Sequence, residues 1–152
     1  MTRGIVQLLI RKKGQDWKLV ETKDNLLTNG GRDFYHNQGI TNTSTGTIGA
    51  NYIGLTETSF SPAATDTTLT GEISTNGLSR AQATTITHTS GTNQSTLTKT
   101  FTASGSFTSV LASALFNASS SGIMTHEANF TTGSGTLISG DSLQVSWTIN
   151  MG

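Results

Sequence analysis

Residues 141–151 read DSLQVSWTINM. Leu143, Val145, Trp147, Ile149 and Met151 alternate without interruption with Gln144, Ser146, Thr148 and Asn150. A period of two is the signature of a strand with one face on a core and the other in water. No helix can present this pattern, because a period of 3.6 would scatter the five apolar residues around its axis. Working back from here, Ser139-Gly140-Asp141-Ser142 is a turn, with Asp141 bonding nearby backbone. Ile123 to Thr131 is a further strand, and Thr108 to Phe116 another, with Val110, Ala112, Ala114 and Phe116 in period two. Ser95 to Ala103 alternates Leu97 and Phe101 with threonines, and Ser79 to Thr89 precedes it across the turn Ser90-Gly91-Thr92-Asn93.

The N-terminal half continues the pattern. Gly4 to Arg11 (GIVQLLIR) is a strand with Val6, Leu8 and Ile10 on one face, and Ile5 and Leu9 make the other face apolar too. Such a strand is either central in a sandwich or covered by a partner. Lys12 to Asp16 turns, and Trp17 to Thr22 returns to complete a hairpin. Asn51 to Thr56 is a strand, while Glu57 to Thr70, with the lone proline Pro62, reads as a long loop. One helix is expected near residues 29–38, capped by Thr28 or Asn29, with Asp33 in its first turn and Gly30-Gly31 weakening it.

About eight strands, several spaced by turn signals, predict an all-β fold: an antiparallel β-sandwich, jelly-roll-like, with that one short helix. The length of 152 residues fits a single domain. It divides into an N-terminal hairpin or arm (1–22) and the sandwich proper (23–152).

Composition narrows function. The net charge is zero and 12% of residues are charged, so no basic footprint for nucleic acid exists. There is no cysteine, which removes disulfides, thiolate metal sites and thiol nucleophiles. Ser and Thr supply nearly a third of the chain. Thr suits a half-wet pleated surface, since its branched Cβ packs while its hydroxyl stays hydrated. No run of 18 apolar residues is present, so no membrane partner is expected. The basic residues Arg11 to Lys13 follow the first apolar stretch rather than precede it, the wrong order for a secretory signal.

His36, His88 and His126 fall on the helix and two different strands, which favours scattered structural roles over a metal or acid–base site. His126 shares the alternation of Met124, Ala128 and Phe130 and is expected to be buried or at an interface. Asp141 alone is a poor calcium site. Glu72 and Arg80 flank a Gly/Ser/Asn loop and are expected to pair across it. No nucleophile elbow, glycine-rich phosphate loop or metalloprotease motif occurs. No catalytic residue, metal or cofactor is therefore expected, and the chain reads as a non-enzyme.

Two further stretches carry a family resemblance. NLLTNGGRDFYHNQG (25–39), NYIGLTETSFSPAATDTTLTGEI (51–73) and GLSRAQAT (77–84) form the first. ALFNASSSGIMTHEANF (114–130) and SGDSLQVSWTI (139–149) form the second. Their order resembles a group of small structural proteins of tailed phages. The shared features are an Ala-x-x-Asp-Thr-x-Leu-x-x-Glu-Ile loop (Ala63 to Ile73), Gly-Leu-x-Arg-Ala (Gly77 to Ala81), a Phe-Asn-Ala strand end (Phe116 to Ala118) and the closing Gly-Asp-x-Leu-x-Val-x-Trp-x-Ile strand. Ala114 stands where the group has Gly. The resemblance implies a virion protein made in the host cytoplasm. It implies above all a capsid decoration (cement) protein that binds the major capsid protein and other copies of itself, as a homotrimer. A tail component (tube, baseplate or fibre-attachment protein) is the alternative. A carbohydrate-binding module using Trp17, Tyr52 or Trp147 is a second alternative from a different class. Candidate contacts with a capsid or a second copy are Ile5, Val6, Leu8, Leu9, Ile10 and Trp17, on the view that the apolar first strand reaches a neighbour's sheet edge.

Overall fold

The computed structural model describes residues 4–38 and 49–151. Among these residues ten strands and one α-helix follow in chain order: β1 (Ile5–Arg11), β2 (Lys18–Asp24), β3 (Leu26–Leu27), α1 (Asn29–His36), β4 (Tyr52–Thr56), β5 (Ala81–Gln82), β6 (Thr85–His88), β7 (Gln94–Thr102), β8 (Ala112–Phe116), β9 (Met124–Asn129) and β10 (Ser142–Asn150). They build two antiparallel five-stranded sheets, ordered β2-β1-β10-β7-β6 (sheet A) and β3-β9-β8-β4-β5 (sheet B). The expected all-β sandwich with one short helix is what forms. Its pairings nest, as in a rolled-up hairpin: β1 with β10, β3 with β9, β4 with β8.

The alternation in β10 does what its pattern demands. Leu143, Val145, Trp147 and Ile149 are buried between the sheets, and Trp147 donates its indole N–H to Ser113 Oγ at 3.3 Å. Met151 lies beyond the strand and is exposed. From β1, Val6, Leu8 and Ile10 join the same core; Ile53, Leu55, Leu97, Phe101 and Leu115 from other strands and Phe130, just past β9, complete it. The hairpin β1–β2 closes through Gly14 at φ 76°, a left-handed conformation that glycine adopts without cost.

Three expected strands are corrected. The run 79–89 is not one strand. It breaks at Ala83, whose N–H goes to Asn51 O on sheet B, while the next N–H, Thr84, goes to Thr98 O on sheet A. The chain changes sheets at that corner. The run 108–116 is strand only from Ala112. Upstream, the backbone is held by other partners: Thr108 and Ser109 N–H on Glu57 Oε1, Val110 N–H on Ser134 Oγ. The period-two apolar set within β8 faces away from the main core. Ser113 and Leu115 point inward, and Ala112, Ala114 and Phe116 point outward. In β9 a bulge opposite Leu115/Phe116 puts Met124 on the outer face, so it does not share a side with His126 and Ala128.

Outward-facing apolar residues need a cover, and the long loop 57–72 is that cover. Leu69 packs on Ala114, Phe116 and Met124, with Tyr52 and Phe60 at the margin. β8 is consequently buried at every position.

Helix α1 starts where expected. Thr28 is its N-cap and accepts from Gly31 N–H at 2.9 Å. Starting at Asn29, the helix carries Asp33 past the first turn, so the expected acidic first turn is absent. Gly31 is a requirement rather than a weakness: a Cβ there would sit 2.3 Å from Thr125 O on β9.

Candidate interaction surface

The two outer faces of the sandwich are unlike. Sheet B is sealed by the 57–72 loop, and polar contacts pin the seal. Glu127 on β9 is 1% exposed, and its Oε1 accepts Ala63 N–H at 2.8 Å. Asp66 Oδ2 accepts the same N–H at 3.1 Å, which brings two carboxyls together. Burial, offset by the Ala63 bond and reinforced by Asp66, pushes the Glu127 carboxyl up to about 7. Its Oε2 is buried without a hydrogen-bond partner. Asn129 Oδ1 accepts Phe60 N–H at 3.2 Å, and Ala64 O accepts Asn29 N–H at 2.7 Å.

The far end of the seal is the expected Glu72–Arg80 pair. The guanidinium donates Nε–H to Glu72 Oε1 and an Nη2–H to Oε2, both at 2.6 Å. Its other nitrogen donates to Ser121 O at 2.7 Å and Ala118 O at 3.2 Å. Its Cζ lies 3.4 Å from the Phe116 ring centroid. This fork satisfies two carboxylate oxygens and two carbonyls at once, which an ammonium cannot reproduce.

Sheet A is bare. Its outer face carries Thr85, Thr87, Thr96, Thr98, Thr100, Gln144, Ser146, Thr148 and Gln7 in registered rows. Neighbours bond to each other: Thr98 Oγ1 to Ser146 Oγ at 2.9 Å, and Gln144 Nε2 to Thr100 Oγ1 at 3.1 Å. At the β1–β2 corner this hydroxyl surface turns apolar. Leu9 faces Leu19, and the Arg11 guanidinium sits 4.8 Å over the Trp17 ring. Leu19 is 51% exposed and Trp17 36%.

The six expected contact residues therefore divide. Val6, Leu8 and Ile10 are core, with no surface to offer a partner. Residues 5–11 are no free arm either, since β1 is paired on both sides, by β2 and β10. Ile5, Leu9 and Trp17 do lie at the outer face, and Leu19 joins them. The alternation of Trp17 and Leu19 was the available signal for Leu19.

The histidines do not converge into one centre. His88 is exposed on β6, with Nδ1 2.9 Å from Gln94 O. His126 is 2% exposed, between Tyr35 (5.9 Å) and Trp147 (6.4 Å). Burial lowers its imidazole to about 4, so it is neutral near pH 7. It shares with His36, Leu27, Arg32, Tyr35 and Met151 the wall of a cleft of about 170 Å³. Among the described residues no three His, Cys, Asp or Glu gather where they could hold a metal ion. Of the possible sugar platforms, Trp147 is wholly buried and Tyr52 packs under the loop.

Asp141 is a structural turn residue. It accepts Ile138 N–H and Lys13 N–H, both at 3.0 Å, and pairs with Lys12 Nζ at 2.8 Å. Burial would raise its carboxyl, but these donors outweigh it and hold it below the usual range. Glu21 is similar: three N–H groups of Thr131, Thr132 and Gly133 overcome burial and lower it. Glu21 thereby ties the β2 edge of sheet A to the loop leaving β9. Comparison with protein-family models, curated proteins and solved structures finds no match.

Proposed function

We propose that this chain is a non-enzymatic structural subunit of a phage particle, a capsid decoration protein that lies on the shell through the outer face of sheet A. The observation that carries this reading is the asymmetry of the sandwich. One outer face is sealed by the chain's own loop, while the other is left, among the described residues, as a hydroxyl-rich surface with an apolar corner at Leu9, Trp17 and Leu19 and the opposite charges Arg11 and Asp24 at its β1–β2 side. A neutral face gives little like-charge repulsion where many copies crowd together. Apolar corners ringed by polar groups mark contact sites. Many weak contacts on a repeating lattice add through avidity. The resemblance supports the same reading. Ala63, Asp66, Leu69, Glu72 and Arg80, which carry its loop motifs, are residues that build the seal on sheet B.

Cosedimentation with capsids lacking the protein is the test. Wild type should pellet with the shells, and Leu19→Asp, at an exposed position that the fold does not need, should stay in the supernatant. Failure of the wild type to pellet removes the capsid reading and leaves a tail component to be tested on tail tubes. Equal pelleting of both proteins moves the contact off this corner.

A further inference from the structure

A sheet edge exposes backbone N–H and C=O groups that pair with any extended chain unless the edge is blunted. The two sheets have four edges. β3 and β5 are two residues long, too short to serve as templates. β2 is bulged opposite Leu8/Leu9 and carries Lys18, Glu21, Lys23 and Asp24. β6 has none of these protections. Thr85-Ile86-Thr87-His88 contains no Lys, Arg, Asp, Glu, Gly or Pro, and it pairs with β7 in unbroken register. All four residues are exposed. Ile86 lies on the core-side face, opposite Leu97, yet 51% of it is open because sheet B ends at the two-residue β5.

We infer that β6 is a self-association edge, occupied by β6 of a second copy of this chain, antiparallel about a two-fold axis normal to the sheet at Ile86. Such an axis keeps core-side faces on one side, so only residues an even number apart can face each other. With the axis at Ile86, Ile86 meets Ile86 and Thr85 meets Thr87. The apolar side chain is covered by its own copy, hydroxyl meets hydroxyl, and no charge meets a like charge. The strand is complementary to itself in this register, and that complementarity singles out a second copy as the occupant. Two four-residue strands make a short interface, so the pair is weak in dilute solution and grows when copies are held close. The inference does not rest on shell binding, since it is read on the free protein.

The chain has no cysteine, so Ile86→Cys introduces one thiol at the position that meets itself. Facing Cα atoms in a strand pair lie about 4.5–5.5 Å apart, within disulfide reach. Mild oxidation at high protein concentration should convert Ile86→Cys to a covalent dimer well ahead of Thr22→Cys on β2 or Ile138→Cys, two other exposed positions. In sedimentation equilibrium, Ile86→Lys should weaken the concentration-dependent association of the wild type. Crosslinking at Ile86 no faster than at the two controls overturns the inference. Association of equal strength in Ile86→Lys and wild type overturns it as well.

Discussion

Among the described residues Glu127 is the one with a buried side-chain oxygen left unpartnered, on a carboxyl only 1% exposed. Its folded-state value is raised to about 7 from 4.5, so the native state binds the proton more tightly than the unfolded chain does. Its effect on stability is therefore most favourable below about pH 4.5, declines as pH rises, and levels off above about pH 7. Glu127→Gln keeps an acceptor for Ala63 N–H and removes the buried charge. Its advantage over wild type should be near zero at pH 4 and reach on the order of 2 kcal/mol at pH 8, by urea titration at both values. A constant difference across pH would show that Glu127 is not titrating. Gly31 makes a second prediction at this scale. Helix propensity alone favours Gly31→Ala by about 1 kcal/mol. The 2.3 Å approach to Thr125 O reverses the sign, and the variant should lose roughly 1–3 kcal/mol, visible as a lowered melting temperature.

The loop 57–72 behaves as a structural element although it has no regular structure. It is fastened by Glu127 and Asn129 at one end and by the Glu72–Arg80 fork at the other. Arg80→Ala should cost roughly 3 kcal/mol, because it strands a half-buried carboxylate beside Phe116 and frees two carbonyls. Arg80→Lys should recover less than half of that, since an ammonium cannot form the fork. Chemical denaturation of both variants checks the order, and hydrogen exchange should show residues 57–72 opening first. The pair itself was legible from its two rare charges. That it clamps a cover was not, because a loop of Ser, Thr, Ala and Gly has no periodicity to say what lies beneath it.

For the whole molecule, the decisive question is whether β1 is an arm or part of the core. Val6 and Leu8 are fully buried, Ile10 nearly so, and β1 stands between β2 and β10. Each such side chain contributes roughly 1.5–3 kcal/mol, against a total stability of about 5–15 kcal/mol for an ordinary domain. Deleting residues 1–11 should abolish cooperative unfolding, seen as loss of the near-ultraviolet circular dichroism of Trp147. A truncated chain that still melts cooperatively would return β1 to the role of an arm.

What the sequence by itself determined is the all-β class with one short helix, the neutral hydroxyl-rich composition, a helix cap at Thr28 or Asn29 and the inward face of β10. Each rests on a local rule: a period of two with one polar side, or a side-chain oxygen three residues before an N–H. Tertiary structure alone decided the rest. β1 is apolar on both faces and β8 carries no charge on either, so alternation could not say which side of each is the core. The loop over sheet B settled that for β8, by burying Ala114 and Phe116 from outside. The break at Ala83 was likewise invisible, because whether a strand stays in one sheet depends on which carbonyl, Asn51 or Thr98, stands opposite each N–H. Those carbonyls lie 32 and 14 residues away along the chain from Ala83 and Thr84, beyond the reach of any local pattern.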